Sequence, residues 1–264
     1  MSKNMAEKRK CQAQVIEQHA VAEGIYSMWL QFQEEYNVAG MAVPGQFISM
    51  YCADGSRLLP RPISICELDR QEARLRVVYR IAGEGTAEFS TLVTGDSIPV
   101  VGPLGNGFTQ RDGKAILIGG GIGIPPMLQL AKELSEKGVD VHIVLGYRDS
   151  CLFLKDEFEA YGTVYLSTED GSAGIRGNVV DACQEYNLTA DTIYACGPLP
   201  MLRGVKEFAA LRKIPAQISM EERMACGIGA CLACVCQSKE EDGHSHVHNK
   251  RVCKDGPVFS AEEL

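Results

Sequence analysis

The sequence predicts a multidomain β plus α/β protein. It divides into an N-terminal antiparallel β-barrel (1–110), a parallel α/β domain (111–215) and a small cysteine-rich C-terminal domain (216–264). Three observations carry this reading. The first stretch holds short β-rich runs separated by Gly and Pro turns. The second opens with a strand, a glycine loop and a helix, then alternates strands with helices. The third places Cys226, Cys231 and Cys234 at C-x4-C-x2-C spacing, with Cys253 distant.

At 264 residues, 45% hydrophobic and 23% charged, the chain has room for two or three packed modules. A net charge of −8 argues against a nucleic acid as partner, and the only basic cluster is Lys8-Arg9-Lys10. The first ten residues are polar and contain no apolar core of a secretory signal, so the chain reads as cytoplasmic. Eleven cysteines in such a chain fit reduced thiols and a cluster better than disulfides. Cys11, Cys52, Cys66, Cys151 and Cys183 are expected to be buried fillers.

In the first stretch the strands fall at 46–51, 63–66, 73–81 and 97–101. Leu75, Val77 and Tyr79 alternate with Arg74, Arg76 and Arg80, the pattern of a strand with one face in a core and one in water. Two polar features interrupt the β pattern. Arg61-Pro-Ile-Ser64 offers a guanidinium and a hydroxyl, and Arg80 leads into Gly83-Glu-Gly-Thr86, whose glycines free backbone N–H groups for an anion.

The second stretch begins with the apolar run Lys114–Ile118, then Gly119-Gly-Gly-Ile-Gly123, then a helical pattern with Met127, Leu128, Ala131 and Leu134 on one face. Strand, glycine loop and helix in that order build a phosphate site at the helix N-terminus. Pro125 and Pro126 suit the first helical turn, although proline stands where the strict dinucleotide fingerprint has its last glycine. Cys196-Gly-Pro198 ends a later strand, and Arg148 and Asp149 end another. Asp149 favours a ribose hydroxyl and Arg148 a 2′-phosphate, leaving NAD and NADP both open.

The cysteine spacing is that of a plant-type [2Fe–2S] site. Gly227, Gly229, Ala230 and Ala233 let the backbone curl close to the sulfurs. A zinc site using Cys231, Cys234, His244 and His248 is the rival ligand set, but it leaves Cys226 and Cys253 idle. His244, His246 and His248 read as a solvated loop. Cys236 competes with Cys234, and the x2 spacing favours Cys234.

The Arg61 and Gly83–Thr86 motifs upstream of the glycine loop resemble the flavin-binding half of the ferredoxin reductase superfamily. The stretches Glu222–Cys234 and Arg251–Phe259 resemble the electron-transfer subunits of type B dihydroorotate dehydrogenases, a likeness that spans essentially the whole chain. The resemblance implies FAD held by Arg61, Pro62, Ile63, Ser64, Val78, Tyr79, Arg80, Gly85 and Thr86. It implies NAD as co-substrate at Gly120, Gly121, Gly123, Cys196, Gly197 and Pro198, with Cys196 beside the nicotinamide as the candidate catalytic residue. The cluster ligands are Cys226, Cys231, Cys234 and Cys253. The implied partner is an FMN-containing dihydroorotate dehydrogenase catalytic subunit, in a heterotetramer of two copies of each, serving pyrimidine (UMP) biosynthesis. The cluster loop, with Glu221, Glu222 and Arg223, is expected at the partner surface. The alternative is the small subunit of a related NAD(P)H:ferredoxin oxidoreductase or of a sulfide dehydrogenase.

Overall fold

The computed structural model describes residues 10–239, 241 and 247–264. Lys8, Arg9, His244 and His246 lie outside the described residues. Six antiparallel strands close into a barrel: β1 (Lys10–Ala22), β2 (Ile25–Gln31), β3 (Phe47–Met50), β4 (Arg61–Asp69), β5 (Arg74–Arg80) and β6 (Ser97–Leu104). Their order is β1-β2-β5-β4-β3-β6, with β6 pairing back onto β1. The short helices α1 (Val38–Met41) and α2 (Glu84–Phe89) lie in its connections. Met28, Leu30, Ile48, Met50, Ile65, Leu75 and Val77 fill the interior.

Side chains alternate across a strand, and β3 shows what this does. Ile48 and Met50 point into the barrel, while Phe47 points outward and packs with the cysteine-bearing segment. Strand β5 departs from the sequence expectation. Arg76 and Val78, on the face expected to meet water, are both buried. That face is covered by the α/β half: Val78 joins a core containing Met127 and Tyr194. Arg76 Nη2 lies 3.1 Å from Glu157 Oε1, and its Nε donates to Ser27 Oγ at 2.8 Å.

The second half comprises β7 (Lys114–Gly120), α3 (Pro125–Glu136), β8 (Asp140–Tyr147), α4 (Lys155–Phe158), β9 (Thr163–Thr168), β10 (Ile175–Arg176), α5 (Val179–Glu185), β11 (Thr192–Cys196), α6 (Leu199–Arg212) and β12 (Ala216–Ser219). These strands pair in parallel in the order β10-β9-β8-β7-β11-β12. Strand β7 has β8 on one side and β11 on the other, so the winding direction reverses there. Ligands of open α/β sheets bind at such a switch point, outside the carboxyl ends of the strands. Pro125 and Pro126 occupy the first turn of α3, and Met127, Leu128, Ala131 and Leu134 are buried beneath it.

The last segment folds as a hairpin of β13 (Val235–Gln237) and β14 (Asn249–Arg251). A final strand, β15 (Val258–Ser260), pairs antiparallel with β12. The cysteine segment is therefore stitched to the edge of the parallel sheet. Of the five cysteines expected as buried fillers, Cys66 and Cys183 are buried, and Cys11 and Cys52 are half-buried. Cys151 is exposed, a correction: its N–H donates to Asp149 Oδ1 at 2.8 Å in a surface turn after β8. Among the described residues, no helix is long and apolar enough to cross a membrane.

Candidate functional site: one cleft and one cysteine cradle

The end of the barrel and the carboxyl edge of the sheet meet around Arg61, Gly85, Arg80 and the loop after β7. Arg61 starts β4, and its guanidinium lies over Gly85 in the first turn of α2. A Cβ built on Gly85 would sit 2.7 Å from Arg61 Cζ, so only glycine leaves room for the arginine. The two motifs, well separated in sequence, thus form one feature. Arg80, at the end of β5, reaches across to the glycine loop, with Nη2 4.0 Å from where a Cβ of Gly121 would be. Gly121 has φ 53°, a left-handed conformation that glycine adopts without strain. Arg61 over the first turn of α2 and Arg80 beside the glycine loop each offer a guanidinium to a phosphate.

The structure places the side chains of three other residues expected in this cleft. Thr86 Oγ1 accepts from Ala82 N at 2.9 Å and donates to Gly83 O at 3.0 Å, so its hydroxyl fastens the loop that leads into α2. Tyr79 turns into the barrel. Its hydroxyl donates to Gln18 Oε1 at 2.8 Å and its ring stacks on Tyr26, leaving only its backbone on the cleft side of β5. Val78 lies in the seam between barrel and sheet.

The sheet side of the cleft is built by close backbone approach. A Cβ on Gly123 would lie 2.6 Å from Gly197 Cα, and Gly120 and Gly197 both press on Met201. The glycines let the loop after β7 touch the loop after β11, which leaves a backbone-lined floor at the switch point. Pro198 leads into α6. Cys196 is held there, its thiol pushed up to about 12 by burial against the opposing hydrogen bond with Ser219. A thiol held that high is protonated at neutral pH, and a protonated thiol is a weak nucleophile.

The cysteine loop lies on the outward face of β3. Cys226 and Cys231 form one pair, Sγ to Sγ 3.3 Å. Cys234 and Cys253 form a second: Cys253 N is 3.4 Å from Cys234 Sγ, and Gly229 N donates to Cys253 Sγ at 3.1 Å. Burial pushes the Cys226 thiol up, but bonds from the Ile228, Cys231 and Ala230 N–H groups and from the Cys231 thiol outweigh it and hold the thiol at about 6. Burial first, and then the neighbouring Cys234, push Cys253 up to about 12. Among the described residues, no three Cys, His, Asp or Glu side chains gather around one point. Thiols paired in this way suit an iron–sulfur cluster, whose irons are held by cysteine thiolates. Cys236 is turned away, its thiol donating to the Lys250 carbonyl at 3.5 Å, and His248 Nδ1 is 3.0 Å from the Lys239 carbonyl oxygen.

Comparison with known proteins decides what kind of molecule carries these two sites. Over 256 residues the chain is 43% identical to the dihydroorotate dehydrogenase B (NAD(+)) electron transfer subunit of Geobacillus thermodenitrificans, covering 95% of this chain and 96% of that one. With the same subunit of Listeria monocytogenes it shares 45% identity over 257 residues, at the same coverage. The chain belongs to the family of dihydroorotate dehydrogenase B electron-transfer subunits. The model of that enzyme's iron–sulfur cluster binding domain matches residues 221–264, which include all four paired cysteines. An oxidoreductase NAD-binding domain matches 117–207, which include the glycine loop and Cys196-Gly-Pro198. A solved NADH-dependent reduced ferredoxin–NADP oxidoreductase shares 30% identity with this member of the family, with a TM-score of 0.84 over 95% of this chain and 88% of that one. A ferredoxin NADP+ reductase from Neisseria gonorrhoeae, at 16% identity and a TM-score of 0.64, shares the fold.

Sequence reasoning passed over three features of these sites: the seam arginine Arg76, the packing residue Met201, and Ser49 beside the cysteine loop. Only Arg76 left a sequence signal, as a charged residue inside a β-branched run.

Proposed function

We propose that the chain binds FAD and one [2Fe–2S] cluster and links an FMN-containing dihydroorotate dehydrogenase catalytic subunit to NAD+, in a heterotetramer of two copies of each, in pyrimidine biosynthesis. The observation that carries the proposal is the pairing of four thiols into two couples on the outward face of β3, the strand bonded to the start of β4 where Arg61 stands. The 43–45% identity over nearly the full length of the relatives supports the dihydroorotate partner over a ferredoxin oxidoreductase.

A flavin exchanges single electrons and hydride whereas an iron–sulfur cluster exchanges single electrons only, which assigns FAD the place between cluster and nicotinamide. The chain's residues hold, orient and shield. Arg61 and Arg80 neutralise phosphate charge. The N–H groups of the loop after β7, with the start of α3, receive the dinucleotide. Gly123 and Gly197 bring the floor close, and the neutral Cys196 offers no competing charge. Cys226 and Cys231 supply one pair of ligands, Cys234 and Cys253 the other.

Ile228 and Leu232 are exposed on the cysteine loop, Leu232 at 76% of its surface. Large apolar side chains beside a redox loop suit a protein partner. Glu221 and Arg223 are exposed next to them, and Glu222 is half-buried. The deciding experiment is an anaerobic absorbance spectrum of the natively purified complex, taken before and after dihydroorotate and, separately, NADH. Bleaching of flavin and iron–sulfur bands by both is expected. Bleaching by NADH alone overturns the dihydroorotate reading and leaves a reductase for another partner.

A further inference from the structure

Ser49 is 1% exposed, and its hydroxyl has no hydrogen-bond partner among the described residues. A buried hydroxyl left unpaired destabilises the fold, and alanine would fill this position on β3 without that cost. Its neighbours Ile48 and Met50 face the barrel interior, so Ser49 shares the outward face with Phe47, which packs against Cys234 and Cys253. The hydroxyl points at the cysteine loop. A Cβ built on Gly227, the residue after Cys226, would lie 2.7 Å from Ser49 Oγ and displace it. Gly227 also has φ 67°, so the loop here is shaped around a glycine and leaves the hydroxyl its place. Across the strand pair, Ser49 is opposite Pro62 and Met50 opposite Arg61, which puts the same short ladder beneath both the flavin motif and the cysteine loop.

We propose that Ser49 donates its hydroxyl hydrogen bond to sulfur at the Cys226 corner of the iron–sulfur site and thereby sets the cluster's reduction potential. The inference rests on the cluster reading above. Reduction adds negative charge that spreads onto the sulfurs, so a donor to sulfur favours the reduced form and raises the potential. Removing the donor favours the oxidised form.

The test is redox titration of the complex, followed by electron paramagnetic resonance, with iron and acid-labile sulfide measured on every preparation. Ser49→Ala is expected to keep its iron and shift the one-electron equilibrium about tenfold toward oxidised, a fall of about 59 mV. An unchanged potential with full iron content overturns the proposal. Where Ser49→Ala assembles no cluster, Ser49→Thr decides: a loaded cluster at the wild-type potential supports donation, and loss of the cluster there too makes the position a packing site and sinks the idea. A wild-type complex without iron would overturn the cluster reading instead, before any variant is made.

Discussion

The barrel has two seams, both with an apolar core, and they differ in how much charge surrounds it. Toward the α/β half the contact is rich in charge. Arg76 is bonded to Glu157, Arg70 Nη2 lies 2.7 Å from Glu133 Oε1, Lys132 lies 3.6 Å from Glu67, and Leu68 N donates to Gln129 Oε1 at 2.8 Å. Toward the cysteine segment the contact is apolar and sulfurous: Phe47, Val101 and Leu104 meet Cys234, Cys236, Val252, Cys253 and Phe259. The first seam adds the protein's own charged and directional bonds to the apolar core that Val78 shares with Met127. The second presents thiol pairs whose cross-link is the proposed cluster, so part of its folding energy is metal-binding energy. One seam is closed by the chain alone, and the other waits on assembly.

The largest expected effect breaks the second seam alone. Cys231→Ser removes one member of the Cys226 pair. It is expected to abolish the cluster's visible bands and dihydroorotate-to-NAD+ turnover, while FAD stays bound and NADH still reduces an artificial dye. Iron content, flavin content and the two activities check this on one preparation. Retained coupled turnover would remove the cluster from the electron path. Loss of FAD with the cluster would show that the seams are not independent. Next in size is docking at the same loop. Leu232→Glu is expected to weaken association with the catalytic subunit by more than tenfold, the scale of a central apolar anchor, and charge reversal at Glu221, Glu222 and Arg223 to weaken it less. Dye reduction by NADH stays intact in each. Sedimentation or gel filtration of the mixed subunits reads the result, and unchanged assembly places the partner elsewhere.

How much of this was legible in the sequence follows the same division. Cysteine spacing is set by the geometry of metal ligation, so Cys226, Cys231, Cys234 and Cys253 stand out in a linear reading. The strand, glycine loop and helix around Gly121 are likewise local. What joins distant segments was hidden. β1 escaped notice because its side-chain phase slips at two register shifts, between Val15 and Glu17 and between Ala20 and Ala22, which blur the alternation. Arg76 looked like a solvent-facing residue because its alternation is genuine, yet the face it occupies is closed by Glu157, 81 residues away. Tyr79 read as a flavin neighbour from its place in the Val78–Arg80 run, and pleating turns its ring into the barrel. Gly85 read as a loop glycine that frees its N–H for an anion, and only the structure shows Arg61 lying over it.

The charged seam is sharpened by cutting its central pair. Glu157→Ala leaves the Arg76 guanidinium buried, with Glu67 Oε2 3.5 Å away as its remaining carboxylate. Removing one partner of a buried pair is costly, and because the Glu157 side chain is 41% exposed the expected loss is about 2 kcal/mol, below the range for fully buried pairs. Chemical denaturation of the complex measures it, and dye reduction by NADH falls as the cleft loosens while the iron content is unchanged. A variant as stable as wild type would make the seam's ionic character incidental.

The smallest effect is a dependence on pH that belongs to the charged seam alone. Burial pushes the Glu133 carboxyl up, but hydrogen bonds from Gln129, Arg70 and Gln110 outweigh it, and its pKa lies below the usual carboxylate range. A depressed pKa in the folded state contributes stability that is fully present above the unfolded-state value and is lost as pH falls through the folded-state value. Wild type is therefore expected to be more stable than Glu133→Gln at pH 7, and the difference is expected to shrink on acidification as Glu133 itself takes up a proton. Paired urea titrations at several pH values between 7 and 3 read that difference directly, because the other carboxylates are common to both chains. A difference independent of pH would mean that Glu133 acts by packing and hydrogen-bond geometry rather than by its charge.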